Sequence, residues 1–122
     1  MDNISVLMCE DNELSQNLAG RVIQNLGFDL DIANNGLEGI QMLGRKKYDV
    51  VLMDIQMPVM DGYQATKHIR EVLGSDIPII ALTAHSLTGE QDKCLDLGMD
   101  GYISKPFKPL ALLEKIQSII KN

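Results

Sequence analysis

Val50-Val51-Leu52-Met53 runs straight into Asp54. Every position before the acid is apolar, with no alternation, which is the pattern of a strand covered on both faces of a parallel sheet. Ile77 to Leu82 repeats the pattern and ends against Thr83. Ile4 to Cys9 ends against Glu10-Asp11, and the shorter Gly101 to Ile103 leads to Lys105-Pro106. Phe28 to Ala33 differs: Phe28, Leu30 and Ile32 alternate with Asp29 and Asp31, as on an edge strand with one wet face.

Helical signals fill the gaps. Leu14, Leu18, Val22 and Leu26 step by four and mark a first helix ending near Gly27. Asn35 with Glu38 opens a second that stops near Gly44, and Asp61 with Gln64 opens a third that carries Ile69 and Val72 and stops near Gly74. Thr88 with Gln91 opens a fourth, whose apolar stripe of Cys94, Leu95 and Leu97 is thin. Pro109 suits the first turn of a fifth, with Leu110, Leu113, Ile116 and Ile120 on one face. Five strands alternating with five helices predict an α/β fold: a flavodoxin-like, doubly wound parallel sheet of order 2-1-3-4-5, with no room for a second domain.

Bulk properties narrow the function. With 122 residues, 45% of them hydrophobic and 23% charged, the chain suits one soluble domain with a real core. A net charge of -6 argues against direct binding to nucleic acid, whose phosphates need a basic footprint. No apolar stretch approaches the roughly 20 residues of a membrane span, and no signal peptide is evident. Cys9 and Cys94 have neither metal-knuckle nor disulfide spacing, which fits reduced thiols in the cytoplasm.

The chemistry lies at the strand ends. In open α/β sheets the ligand crevice opens beyond the carboxyl ends of the strands, where strand order reverses. For the order 2-1-3-4-5 that point lies between the first and third strands, the ones ending in Glu10-Asp11 and Asp54. Carboxylates roughly 4 Å apart at an effective dielectric near 20 repel by about 4 kcal/mol per pair. Either protons are held there or a cation sits there, and oxygen ligands alone favour Mg²⁺. An aspartate beside Mg²⁺ can be a nucleophile toward a phosphoryl donor, with Lys105 offsetting charge and the Thr83 hydroxyl donating to a phosphoryl oxygen.

Cys9-Glu10-Asp11-Asn12, the run from Met53 to Gly62, Ala81-Leu82-Thr83-Ala84 and Lys105-Pro106-Phe107 together resemble the receiver domains of two-component signalling, over essentially all of residues 1–122. The resemblance implies that Asp54 accepts a phosphoryl group from phosphohistidine. It implies that Asp11 and Asp54 ligate Mg²⁺ with the Gln56 carbonyl, that Glu10 acts through water, and that Lys105, Thr83 and the Ala84 amide contact the phosphoryl oxygens. It further implies a cis bond before Pro106. Thr83 and Tyr102 would form a switch reporting to the fourth helix, fifth strand and fifth helix. The wording from Glu10 to Gln16 and from Met57 to Gly62 is most similar to receivers of hybrid sensor histidine kinases. The partners implied are a sensor histidine kinase or a histidine phosphotransfer domain, with no direct contact to nucleic acid or membrane. Such a domain catalyses its own phosphorylation and dephosphorylation and is not a turnover enzyme, although a hybrid parent would be a histidine kinase. A free-standing receiver that binds proteins independently of phosphorylation is the alternative. A flavodoxin-type flavin binder would need a phosphate loop where Glu10-Asp11-Asn12-Glu13 stands. A phosphatase of the haloacid-dehalogenase type would need an aspartate where Gln56 stands.

Overall fold

The computed structural model describes residues 4–83, 88–104 and 108–120, and of residues 88–91 the helical backbone alone. Strands β1 (Ser5–Cys9), β2 (Asp29–Ala33), β3 (Val50–Asp54), β4 (Ile79–Thr83) and β5 (Gly101–Ser104) alternate with helices α1 (Glu13–Asn25), α2 (Gly36–Leu43), α3 (Gly62–Glu71), α4 (Thr88–Asp96) and α5 (Pro109–Ile120). All pairings are parallel, in the expected order β2-β1-β3-β4-β5.

The period of two along each strand divides the core between two faces. Leu7, Cys9, Val51, Met53, Ile79 and Ala81 face one way and pack with Ala65 and Ile69 of α3 and Cys94 of α4. Val6, Met8, Val50, Leu52, Ile80 and Leu82 face the other way and meet Ala19 and Ile23 of α1 and Leu112 and Ile116 of α5. Each fully buried Leu or Ile contributes about 2 kcal/mol relative to exposure. The edge strand is covered in part by polar chemistry: Asp31 accepts from the Tyr48 hydroxyl at 2.7 Å and from Lys46 Nζ at 3.0 Å. The Tyr48 bond, then Lys46, holds the Asp31 carboxyl below its ordinary pKa.

Helix starts follow local rules. Asp61 Oδ1 accepts from Gln64 N at 2.8 Å while Gln64 Oε1 accepts from Asp61 N at 3.1 Å, a complete reciprocal cap. Asn35 caps α2 at 2.8 Å, but Glu38 turns away and accepts from Asn34 at 3.4 Å, so that pair is only half a capping box. Asn12 caps α1 through Ser15 N at 2.9 Å. The Thr88–Gln91 pair cannot be followed, because the side chains of 88–91 lie outside the described residues. Of the residues that step by four along α1, Val22 packs against the core, while the first two leucines do not. Ala19, Gly20 and Ile23 are buried, while Leu14 and Leu18 are 67% and 55% exposed. Small residues let α1 approach the sheet closely, and that approach turns the larger leucines outward. Among the described residues no helix is long and apolar enough to cross a membrane.

Candidate functional site

Beyond Cys9 the chain leaves the sheet through Glu10, whose N–H still bonds to Ala33 O at 2.9 Å. That last bond holds Glu10 fully buried. Its Oε2 accepts from Asn12 N at 3.1 Å, and its carbonyl accepts from Gln16 Nε2 at 2.5 Å. Asp11 follows as an exposed residue. Two strands meet here: Cys9 pairs with Met53, so Glu10-Asp11 and Asp54 emerge side by side.

Asp54 is the last residue of β3 and is 7% exposed. Gln56 N donates to its Oδ1 at 3.2 Å, which orients the carboxylate from within its own loop. The loop then doubles back, and Gly62 N donates to Ile55 O at 2.9 Å. A side chain at Gly62 would overlap the Asp54 carbonyl oxygen, so only glycine lets α3 start against the end of β3. The turn includes Val59 at φ 68°, a left-handed conformation that is costly for a β-branched residue, and its side chain is 75% exposed.

One carboxylate oxygen each from Glu10, Asp11 and Asp54 lie within 4.8 Å of one another. At such spacing and an effective dielectric near 20, each pair repels by about 3.5 kcal/mol before water screens Asp11. The donor set is all oxygen, with two of its three members buried, which suits a hard divalent cation. Cys9 is no rival ligand: burial first, and the charge of Glu38 second, push its thiol up to about 12.

Thr83 closes β4 one strand over, 2% exposed, and its Oγ1 has no hydrogen-bond partner among the described residues. Ala81 and Thr83 share a sheet face with their β5 register partners, Tyr102 and Ser104. Tyr102 is half-buried against the Leu7–Met53 side of the core, with Lys115 Nζ 5.6 Å from its ring centre. Of the residues expected at the site, Glu10, Asp11, Asp54, Gln56 and Thr83 come together on one rim, and Tyr102 lies on the adjoining strand. Lys105, Pro106 and Ala84 lie outside the described residues.

Beside the acids lies a cleft of about 640 Å³ whose walls include Asp11, Gln56, Met57, Pro58, Asp61, Tyr63 and Lys93. Sequence reasoning placed neither Tyr63 nor Lys93 here. No local pattern could have done so, since the two sit thirty positions apart on different helices.

Fold and rim together define a doubly wound α/β domain with an all-oxygen acidic site at its topological switch point. Residues 6–117 match the model of the response regulator receiver domain, and the chain belongs to that family. It is 42% identical over 123 residues to hybrid signal transduction histidine kinase I of Dictyostelium discoideum, a match covering 94% of this chain and 7% of that protein. The solved receiver domain of the Pseudomonas aeruginosa sensor histidine kinase PA1611, with a magnesium ion coordinated in its active-site cleft, is 37% identical at a TM-score of 0.90, covering 99% of this chain and all of that one. A chain from the Saccharomyces cerevisiae complex of the phosphotransfer protein Ypd1 with the receiver domain of Ssk1 is 28% identical at a TM-score of 0.90, covering 98% of this chain and 90% of that one. This chain thus corresponds to a small part of the full-length kinase it matches.

Proposed function

We propose that residues 1–122 form one phosphoacceptor domain of a phosphorelay, in which Asp54 takes a phosphoryl group from a phosphohistidine. A carboxylate oxygen of Asp54 attacks phosphorus, the P–N bond to the imidazole breaks, and the electron pair returns to the departing ring nitrogen. The product is an acyl phosphate on Asp54. The convergence of Glu10, Asp11 and Asp54 within 4.8 Å carries this reading. It sets the buried Asp54 beside two further carboxylates whose mutual repulsion a cation between them would offset.

Asp11 and Asp54, with the Gln56 carbonyl and with Glu10 through water, would hold Mg²⁺. When bound, the ion offsets charge on the attacking carboxylate and on the phosphoryl oxygens. The hydroxyl of Thr83, without a partner among the described residues, supports a phosphoryl contact, because a buried hydroxyl left so costs about 1–3 kcal/mol, which an arriving acceptor oxygen relieves. Lys105 and the Ala84 amide take the remaining phosphoryl oxygens in this reading. Thr83 and Tyr102, on one face of adjacent strands, then report the phosphoryl group to α4, β5 and α5. The added charge of about -1.5 to -2 shifts an equilibrium between two arrangements of that surface. The donor is a sensor histidine kinase or a histidine phosphotransfer domain, met in the cytoplasm, and the chain is a receiver module of a hybrid kinase. The likeness to a hybrid kinase and to a receiver solved with its phosphotransfer partner supports that choice.

Incubation with acetyl phosphate and Mg²⁺ should add one phosphoryl group, seen by intact-mass spectrometry, and chelation of the metal should prevent it. Asp54→Asn should abolish labelling. Equal labelling of that variant would overturn the assignment.

A further inference from the structure

The walls of the cleft carry an electrostatic problem. Asp11 and Asp61 line it, and carboxylate oxygens of Glu10 and Asp54 lie within 4.8 Å of that of Asp11. A phosphodonor is itself an anion, and one divalent cation together with Lys105 does not outweigh four carboxylates. Among the described residues that line the cleft, Lys93 is the one cationic side chain.

Lys93 is held by an aromatic face. Its Nζ stands 4.3 Å from the centre of the Tyr63 ring, within the range of a cation–π contact. Among the described residues it forms no ion pair. Lys46, which also stands over a ring, is by contrast bound to Asp31 at 3.0 Å. A carboxylate neutralises an ammonium group, whereas an aromatic face orients it and leaves its full charge available. The stack also ties α4, whose contacts are chiefly with β5, across the cleft to the first turn of α3. Lys93 is therefore a positive charge held on one wall, with no ion-pair partner among the described residues.

We propose that Lys93, stationed on Tyr63, is a positioning residue for the anionic phosphodonor: it draws a small acyl phosphate into the cleft and orients it by charge, leaving the phosphoryl oxygens to Thr83, Lys105 and the Ala84 amide. The proposal rests on the phosphoacceptor reading of Asp54. Lys93 touches neither nucleophile nor leaving group in the chemical step, so its effect falls on encounter and orientation.

The test is the second-order rate constant for labelling by acetyl phosphate at saturating Mg²⁺, measured between about 0.01 M and about 1 M salt. Lys93→Gln should slow labelling about three- to tenfold at low salt, with the difference vanishing at high salt as screening removes the attraction. Lys93→Arg keeps charge and stacking and should retain the wild-type rate and salt slope. Mg²⁺ affinity should be unchanged or slightly tighter in Lys93→Gln. Equal rates and slopes for wild type and Lys93→Gln would overturn the proposal, as would a Lys93→Arg variant as slow as Lys93→Gln. Wild-type labelling that is absent in Asp54→Asn is the control: with it in hand, failure of the Lys93 prediction leaves the phosphoacceptor reading standing, and without it both fall.

Discussion

The two ends of the sheet are built to opposite standards. Where β4 and β5 begin, Arg70 reaches across from α3. It donates from Nε to Gly98 O at 2.9 Å, from Nη1 to Ser75 O and Ile77 O at 2.9 and 2.8 Å, and from Nη2 to Asp100 Oδ2 at 2.9 Å. Asp100 Oδ2 in turn accepts from Ile79 N at 2.8 Å. Where the strands end, three carboxylates crowd within 4.8 Å, the Thr83 hydroxyl lacks a partner among the described residues, and Val59 holds a left-handed backbone. One end joins its polar groups into a single network, and the other crowds like charges together. Stability and function are thus assigned to opposite edges of one sheet.

The contrast breaks first at Arg70, where the largest change is expected. Arg70→Met keeps an apolar stem but strips three carbonyls and a carboxylate of their donor. Lost bonds to a charged group and newly unpaired acceptors should lower stability by about 3 kcal/mol. The urea midpoint should fall with an unchanged slope, while the protein that remains folded labels at Asp54 as before. A loss of labelling in the folded fraction would mean that the two ends are not independent.

At the other end the sign should reverse. Asp54→Asn removes one charge from the crowded set and should raise stability by about 1.5 kcal/mol in metal-free buffer while abolishing labelling. The gain should shrink when Mg²⁺ is added, because the ion relieves the same repulsion in the wild type. A thermal unfolding series with and without metal checks both halves, and a destabilised variant would contradict the crowding argument.

How far each end was legible in sequence follows from the range of its interactions. The rim announced itself because Glu10, Asp54 and Thr83 each follow a largely apolar run, and strand direction carries those three to one edge. The cap of α3 was equally local, with Asp61 and Gln64 three positions apart. The four-residue step of Leu14, Leu18, Val22 and Leu26 marked α1 as a helix, while its buried residues, Ala19, Gly20 and Ile23, carry no such local signal. The Arg70 clamp was not legible at all. Its partners, Gly98 and Asp100, lie 28 and 30 positions away, and nothing near Arg70 marks it as other than a surface residue of α3. The Lys93–Tyr63 stack was hidden for the same reason.

Val59 offers a smaller change of the same sign as Asp54→Asn. Its side chain is 75% exposed, so little burial is lost on replacement, whereas its φ of 68° is a conformation that asparagine tolerates far better. Val59→Asn should gain about 1 kcal/mol in urea unfolding. If stability falls instead, the valine side chain holds the loop through packing that its exposure does not suggest.

Thr83→Val sharpens the comparison at its finest point. The substitution replaces a hydroxyl with a methyl group of nearly the same shape, at a position 2% exposed. Ordinarily such a change in a buried site costs stability, because the hydroxyl's partner is orphaned along with it. Here Oγ1 has no partner among the described residues, so the removed group was itself the unsatisfied one. The unphosphorylated protein should therefore gain about 0.5 kcal/mol or be unchanged. Asp54 should still be labelled, since the nucleophile is intact, but the variant should bind beryllofluoride with Mg²⁺ about tenfold more weakly, the loss of one hydrogen bond to a charged acceptor. Stability up and affinity down in one substitution would locate the function of the hydroxyl in the ligand-bound state alone. A loss of stability would place it in the resting fold, and the contrast between the two ends of the sheet would then stop short of β4.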